Sequence, residues 1–452
     1  MTLILTNHYD FIPRFYRLAI INILSNLMIP LAGLISVAFL GHLSEISSLA
    51  GVSLANIIFN VVYLTLAFLR MATTGVTAQA VGADDRQGIL LIGLRNGLIA
   101  LTLGMTIVIF QYPLREIGFS LLNADVTVKE SAINYFNARI WGAPAVLLNF
   151  VLIGWLLGRE KNSQVLILSF FGNAFNVLLD YVFILQLNWE SKGAGTSLAC
   201  SQYLMCFIAL IFSNRDFSWQ EIKTGITQIF EPSAIKQTFS FNRDILISNI
   251  SELSVLAFFG KLSAMMGTIT FTQNFLLGQI SHLSVYLTDG LVFATETLSG
   301  NFKGQKSSEK FLPLLRVAMI SSLILALTIA IICVLFPHTI FSIFTNKSEI
   351  NSQIHIYIWW LFFLLTLASA STMLEGYFVG LADGKVVRDT ILLASVWGFI
   401  PPAVATWYLH NNHVLWLSMT LFLLVKTVAL LVYLVINLTD GLSRTPFRED
   451  RI

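Results

Sequence analysis

The sequence predicts an all-α membrane protein of twelve transmembrane helices, arranged as two six-helix lobes related by a pseudo-two-fold axis along the membrane normal. The first observation behind this is composition. Of 452 residues, 56% are hydrophobic and only 12% charged, with a mean hydropathy of +0.76, whereas a soluble globule carries about 25% charged residues. The second is a series of apolar runs of about 20 residues, the length that crosses a bilayer. They fall at 15–40, 48–69, 88–112, 140–158, 163–186, 194–213, 245–260, 270–298, 313–336, 355–381, 388–409 and 414–437. The third is an internal repeat. Gly41-His42-Leu43-Ser44 recurs as Gly260-Lys261-Leu262-Ser263, and Gly154-Trp155-Leu156-Leu157-Gly158 as Gly376-Tyr377-Phe378-Val379-Gly380, at offsets of 219 and 222 residues. Because six spans is an even number, the second copy enters the membrane in the same direction as the first, which makes the repeats parallel.

Charge placement sets the expected topology. With both termini on one side, nineteen Lys and Arg fall in the segments on that side and five in the loops opposite, so the termini are expected to be cytoplasmic; the expected location is the inner (plasma) membrane. The first dozen residues have no basic run and no small-residue cleavage site, and the first span is expected to stay as a helix. The expected organisation is an N-lobe over 1–213, a cytoplasmic interlobe linker over 214–244, a C-lobe over 245–437 and a cytoplasmic tail over 438–452. Cys200, Cys206 and Cys333 fall in apolar segments without metal-ligand spacing and imply no disulfide framework.

The first span carries Asn22, Asn26 and Pro30 on its inner half and Ser36 further out. Pro30 removes a backbone donor and is expected to bend the helix. The second ends in a polar run with Arg70, Thr73, Thr74, Thr77 and Gln79. An arginine there either finds a buried acceptor or snorkels to the surface. The fourth and fifth spans, joined by a short basic turn, bring the main candidate. Asp180 stands well inside an apolar segment, at a cost of roughly 2.5–3.5 kcal/mol on insertion scales, and an intramembrane acid of this kind marks a functional site. Asn176 and Asn173 precede it by about one and two turns and share its face. Asn149 in the fourth span and Thr196 with Ser201 in the sixth are placed to turn toward it. A carboxylate among amide and hydroxyl oxygens suits a proton or a sodium ion, and the residues alone do not choose.

The linker mixes charge with Trp219, Ile222, Ile226, Ile229 and Phe230 at helical spacing, the pattern of a helix lying in the interface. The second half holds more intramembrane acids: Glu252 in the seventh span, Asp289 and Glu296 two turns apart in the eighth, and Glu375 in the tenth, which together suggest a polar cavity. His282 is expected to pack or to line that cavity. His410 and His413 are spaced like a metal pair but lack an acidic or thiol partner, and a solvated turn is expected there. There is no H-E-x-x-H, G-x-S-x-G or Walker A run, so no enzymatic centre, cofactor, resident metal or nucleic-acid partner is expected.

Several runs, among them IPLAGLISVAFLGHL, FLRMATTGVTAQAVGA, WGAPAVLLNFVLIGWLLG, NVLLDYVFI, YLTDGLVFATETLSGNFKG and LEGYFVGLADGKVVRD, resemble the multidrug and toxic compound extrusion (MATE) transporters, and within them the DinF-like branch. The resemblance implies two six-helix lobes around a cavity and ion-driven antiport, with protons or sodium ions entering as amphipathic, often cationic, small molecules leave. It implies a monomer contacting membrane lipids. By position, Asp180 matches the family's N-lobe acid with Asn176 as its amide neighbour, Asp289 matches the helix 8 aspartate, Glu375 stands where relatives often have aspartate, and Glu252 resembles a glutamate of the NorM-like branch. Where the branch reads GLVDxAxxGHL, this chain reads GLISVAFLGHL, so Ser36 replaces an acid. The alternative reading is a flippase for a lipid-linked precursor, which needs a basic cavity for its pyrophosphate.

Overall fold

The computed structural model describes residues 8–43, 46–122, 124–214, 216–344 and 355–443. Twelve long helices run through it: α1 Ile12–Gly41, α2 Ser47–Gly82, α3 Arg86–Ile109, α4 Val126–Gly158, α5 Asn162–Gln186, α6 Glu190–Ser213, α7 Pro232–Met265, α8 Thr268–Gly304, α9 Ser308–Leu335, α10 Trp359–Gly380, α11 Gly384–Leu409 and α12 Asn412–Ser443. Among the described residues there is no strand. Eleven of the twelve are apolar enough to cross a membrane by composition alone. The exception, α8, is 37 residues long, more than enough to span. It carries Asp289, Glu296 and several amides because much of it contacts protein. From Gly290 to Phe302 every residue is buried.

The two-lobe repeat is written in the backbone. Asp84, Glu160 and Asn188 take the left-handed conformation at the ends of α2, α4 and α5, and so do Lys306, Ala382 and His410 at the ends of α8, α10 and α11. Each pair is 222 residues apart, the offset of the glycine motif. Non-glycine residues seldom adopt positive φ, so their recurrence at one spacing means that corresponding helices end in the same way in both halves.

α8 packs against α1, α2 and α10, and the contact is made close by glycine. A Cβ added at Gly75 would lie 2.3 Å from the Val379 carbonyl oxygen, one at Gly82 2.0 Å from that of Asn301, and one at Gly380 2.3 Å from that of Glu296. Small residues let helix backbones approach in this way. This seam lies toward the end of the bundle where α1 begins and α12 finishes, here called the terminal end. Gln79 donates across it to the Gly380 carbonyl at 2.8 Å, and Arg14 pairs with Glu160 while donating to Asn301 at 3.1 Å. At the far end packing is loose. On α1, residues 33–35 are exposed in succession, as are 285 and 286 on α8, so faces pointing inward and outward are both uncovered. The halves meet at the terminal end and part at the far end.

The linker folds as a helix over Trp219–Gln228 with a capping box, Ser218 accepting from the Glu221 amide and Glu221 from that of Ser218. Glu221 also accepts from Arg86 Nε at 2.8 Å, and the Arg86 hydrogen bond followed by the Ser218 contact pulls its carboxyl down to about 2. α7 then begins at Pro232, well before residue 245, because proline suits the first turn of a helix, and the stretch ahead of the apolar section carries Lys236, Arg243 and Asp244. Nearby, burial pushes Asp216 up, but the hydrogen bond from Lys161 and the charge of Arg159 outweigh it and hold the carboxyl below its ordinary value. Residues 444–452 of the expected tail lie outside the described residues, as do Arg215 and Lys347.

Candidate ion and substrate site

The first half of the chain encloses a cavity of about 650 Å³ walled by α1, α2, α4, α5 and α6, with Phe293 of α8 closing one side. Asp180 sits on its wall and is 1% exposed. Three helices meet on this carboxylate. Ser36 of α1 donates to Oδ2, Ser197 of α6 donates to Oδ1, and Asn176, one turn back on α5, donates to Ser197 Oγ at 3.1 Å. Directly after Asp180 the helix widens into a π-helical turn, Tyr181–Gln186. Such turns recur at functional sites because they re-aim side chains. Two carboxylate oxygens and two hydroxyls form a hard donor set that suits a proton or an alkali cation.

The remaining expected residues divide between those on this wall and those away from it. Asn26, Pro30, Arg70, Asn149 and Asn173 line the same cavity. Asn149 donates to Gln202, at 2.9 Å to its carbonyl oxygen and 3.0 Å to Oε1, and its own Oδ1 is buried without a partner. It does not touch Asp180. Thr196 turns away, its hydroxyl donating back to the Lys192 carbonyl at 2.9 Å, and Ser201 likewise bonds to Leu198 at 2.8 Å. The adjacent Ser197 takes the position at the acid. His282 is exposed on the open half of α8, outside the cavity lining. His413 accepts from the Trp360 indole at 3.1 Å, and among the described residues no group of three His, Cys, Asp or Glu side chains could hold a metal. The three cysteines are free.

The acids of the second half separate into two groups. Lys426 of α12, 1% exposed, lies 2.7 Å from Glu375 and 3.4 Å from Glu252, joining α7, α10 and α12. Glu296 is fully buried on α8 with neither carboxyl oxygen hydrogen-bonded, and Asp289 stands two turns before it. The fields of both reach Arg70. That guanidinium lies 4.2 Å above the Phe293 ring, and its Nε is buried without an acceptor. The cavity's second arginine, Arg139, donates to Asn56 and to the Tyr135 hydroxyl, at 3.0 Å for the latter, and sits 4.3 Å over the Phe59 ring.

Gln202 and Arg139 line the cavity and Ser197 holds its acid, and none of the three is among the expected site residues. For Ser197 the composition held no signal separating it from Thr196, since the rotation of α6 is set by packing. Arg139 had one: Tyr135 and Arg139 are spaced four apart, a same-face pair, on a helix that continues from Val126 through a 3₁₀ turn at Ile140–Gly142.

The MatE family pattern matches residues 22–182 and 245–402. DNA damage-inducible protein F of Escherichia coli is 28% identical over 415 residues, covering 92% of this chain and 90% of that protein. The probable multidrug resistance protein NorM of Thermotoga maritima is 26% identical over 72% of this chain and 70% of its own length. In three dimensions the chain overlays an outward-facing conformation of a multidrug resistance MATE family transporter with a TM-score of 0.85 at 21% identity, covering 95% and 96% of the two chains. It also overlays a MOP superfamily transporter from Pyrococcus furiosus, described as having a binding pocket of reverse polarity, with a TM-score of 0.82 at 20% identity and the same coverage. The matched segments take in both lobes and Asp180 itself, and the chain belongs to the MatE family.

Proposed function

We propose that this protein is a secondary active antiporter of the inner membrane, with both termini cytoplasmic, which exports amphipathic small organic molecules in exchange for protons or sodium ions. It works as a monomer by rocking of the lobes 1–213 and 245–437. The observation that carries this reading is Asp180, a buried carboxylate held by three helices on the wall of the principal cavity. An ion that binds there tightens α1, α5 and α6 around one point. It can drive transport only if it binds one orientation of the lobes better than the other, since equal affinity shifts nothing. With cytoplasmic termini, the far-end opening faces outward and the glycine seam closes the cytoplasmic side.

The test is efflux by purified protein in liposomes with proton and sodium gradients imposed separately. One gradient drives export by the wild type, and Asp180→Asn abolishes it while the protein keeps its fold and melting temperature within a few degrees. Wild-type transport by Asp180→Asn removes this site from the coupling.

The lipid-linked precursor flippase is kept as a second reading by one observation. The cavity wall holds Arg70 and Arg139 against a single carboxylate, the sign that a pyrophosphate headgroup needs.

A further inference from the structure

The resemblance to the family implies organic cations, but the charges around the cavity have the other balance. Five ionisable side chains line it: Tyr63, Arg70, Tyr135, Arg139 and Asp180. Both oxygens of Asp180 already accept from hydroxyls, and the proposed antiport gives this carboxylate to the coupling ion. The guanidiniums are less committed. Arg139 donates to a neutral amide oxygen and a neutral phenol. Arg70 makes no side-chain hydrogen bond or ion pair among the described residues, and its Nε is orphaned. Asp289 and Glu296 act on Arg70 only through space, and neither lines the cavity. An arginine inside a membrane is costly until an acceptor reaches it, and its planar fork matches carboxylate, sulfonate and phosphate oxygens. The rest of the wall mixes amides and serines with apolar side chains, and Phe150 and Phe293 supply its aromatic part.

We propose that the cavity takes an amphipathic compound bearing an acidic group, whose oxygens are received by Arg70 and Arg139 while its apolar body lies along Phe150 and Phe293. This deepens the transporter reading and rests on it. The same chemistry describes a free organic acid and the headgroup of a lipid-linked pyrophosphate.

The experiment measures binding without any gradient, so that a failure of antiport does not affect it. Two probes share a naphthyl-alkyl body, one ending in a carboxylate and the other in trimethylammonium, and each is titrated into purified protein by calorimetry. The carboxylate is expected to bind at least tenfold more tightly. Arg70→Gln and Arg139→Gln each weaken it about tenfold or more and leave the ammonium probe unchanged or tighter. Arg70→Lys and Arg139→Lys, which keep the charge and guard against misfolding, retain most of the binding. Farnesyl pyrophosphate separates the sources. Competition a hundredfold stronger than that of the carboxylate assigns the site to a lipid headgroup, and weaker competition to a free acid, with the anionic assignment upheld either way. Tighter binding of the ammonium probe, or carboxylate binding indifferent to both glutamine variants, overturns the proposal.

Discussion

The hydroxyl of Ser36 on α1 donates to Oδ2 of Asp180 on α5, so a serine ties the first helix to the buried acid of the cavity wall. Ser36→Ala leaves one oxygen of a buried carboxylate without its donor, a loss of about 1–3 kcal/mol. The expected outcome is a lower melting temperature and transport reduced by roughly tenfold or more, since each 1.4 kcal/mol is a factor of ten. Efflux assays with paired thermal melts check it, and unchanged values for both mean that the α1–Asp180 bond is not maintained in the membrane.

The triad Glu252–Lys426–Glu375 gives a second prediction. Lys426→Met removes the only cation, among the described residues, within ion-pair distance of a buried Glu375, and breaking a buried pair from one side costs about 3–5 kcal/mol. Pairing it with Glu375→Leu removes the stranded acid and is expected to restore most of the stability. A double-mutant cycle on melting temperatures measures this, and additive losses would sink it.

At the seam, Gly82→Val places a side chain where the Asn301 carbonyl already stands. Overpacking of this kind costs about 1–3 kcal/mol, and it falls on the state in which the terminal end is closed. Ser299→Cys, in a background with Cys200, Cys206 and Cys333 replaced by Ala, is expected to react with a membrane-impermeant maleimide faster when Gly82→Val is present. Equal labelling rates mean the seam does not open.

The linker is expected to respond to acid. The carboxyl of Glu221 is depressed to about 2 in the folded protein by Arg86 and Ser218, below the ordinary glutamate value of about 4.3. Its contribution is therefore present above the unfolded value and is lost as pH falls from about 4 through 2. Hydrogen exchange at the Trp219–Gln228 amides, compared at pH 5 and pH 3, is expected to lose protection at the lower pH in the wild type. Glu221→Gln is expected to show the lower protection at both.

Much of the fold could be read from the chain because the bilayer simplifies the problem: apolar length marks the helices, and the offset of 222 residues, carried by Gly154 and Gly158 against Gly376 and Gly380, marks the repeat. α8 was found by length in spite of its acids. The start of α7 at Pro232 was missed because a helix that runs beyond the membrane leaves no apolar signal there. At the site, Asp180 and Asn176 were legible from their shared face. Their partner Ser197 was not, because helix rotation separates it from Thr196 and no local pattern sets that rotation. The meeting of Lys426 with Glu252 and Glu375 spans three helices far apart in sequence, and only packing brings it about.

The contacts of Gly75, Gly82, Gly300 and Gly380, where α2 meets α8 and α10, set main chain close against main chain, with only small side chains such as Ala78 and Ser299 between them. A bearing of this kind has no teeth. One half can roll on the other without first withdrawing knobs from holes, and resistance to the motion falls on the few polar latches beside it, Arg14 to Asn301 and Gln79 to the Gly380 carbonyl. Those latches, together with Asn242 to Asn96 and Lys310 to Asp10 elsewhere between the halves, are where the rate of turnover can be adjusted.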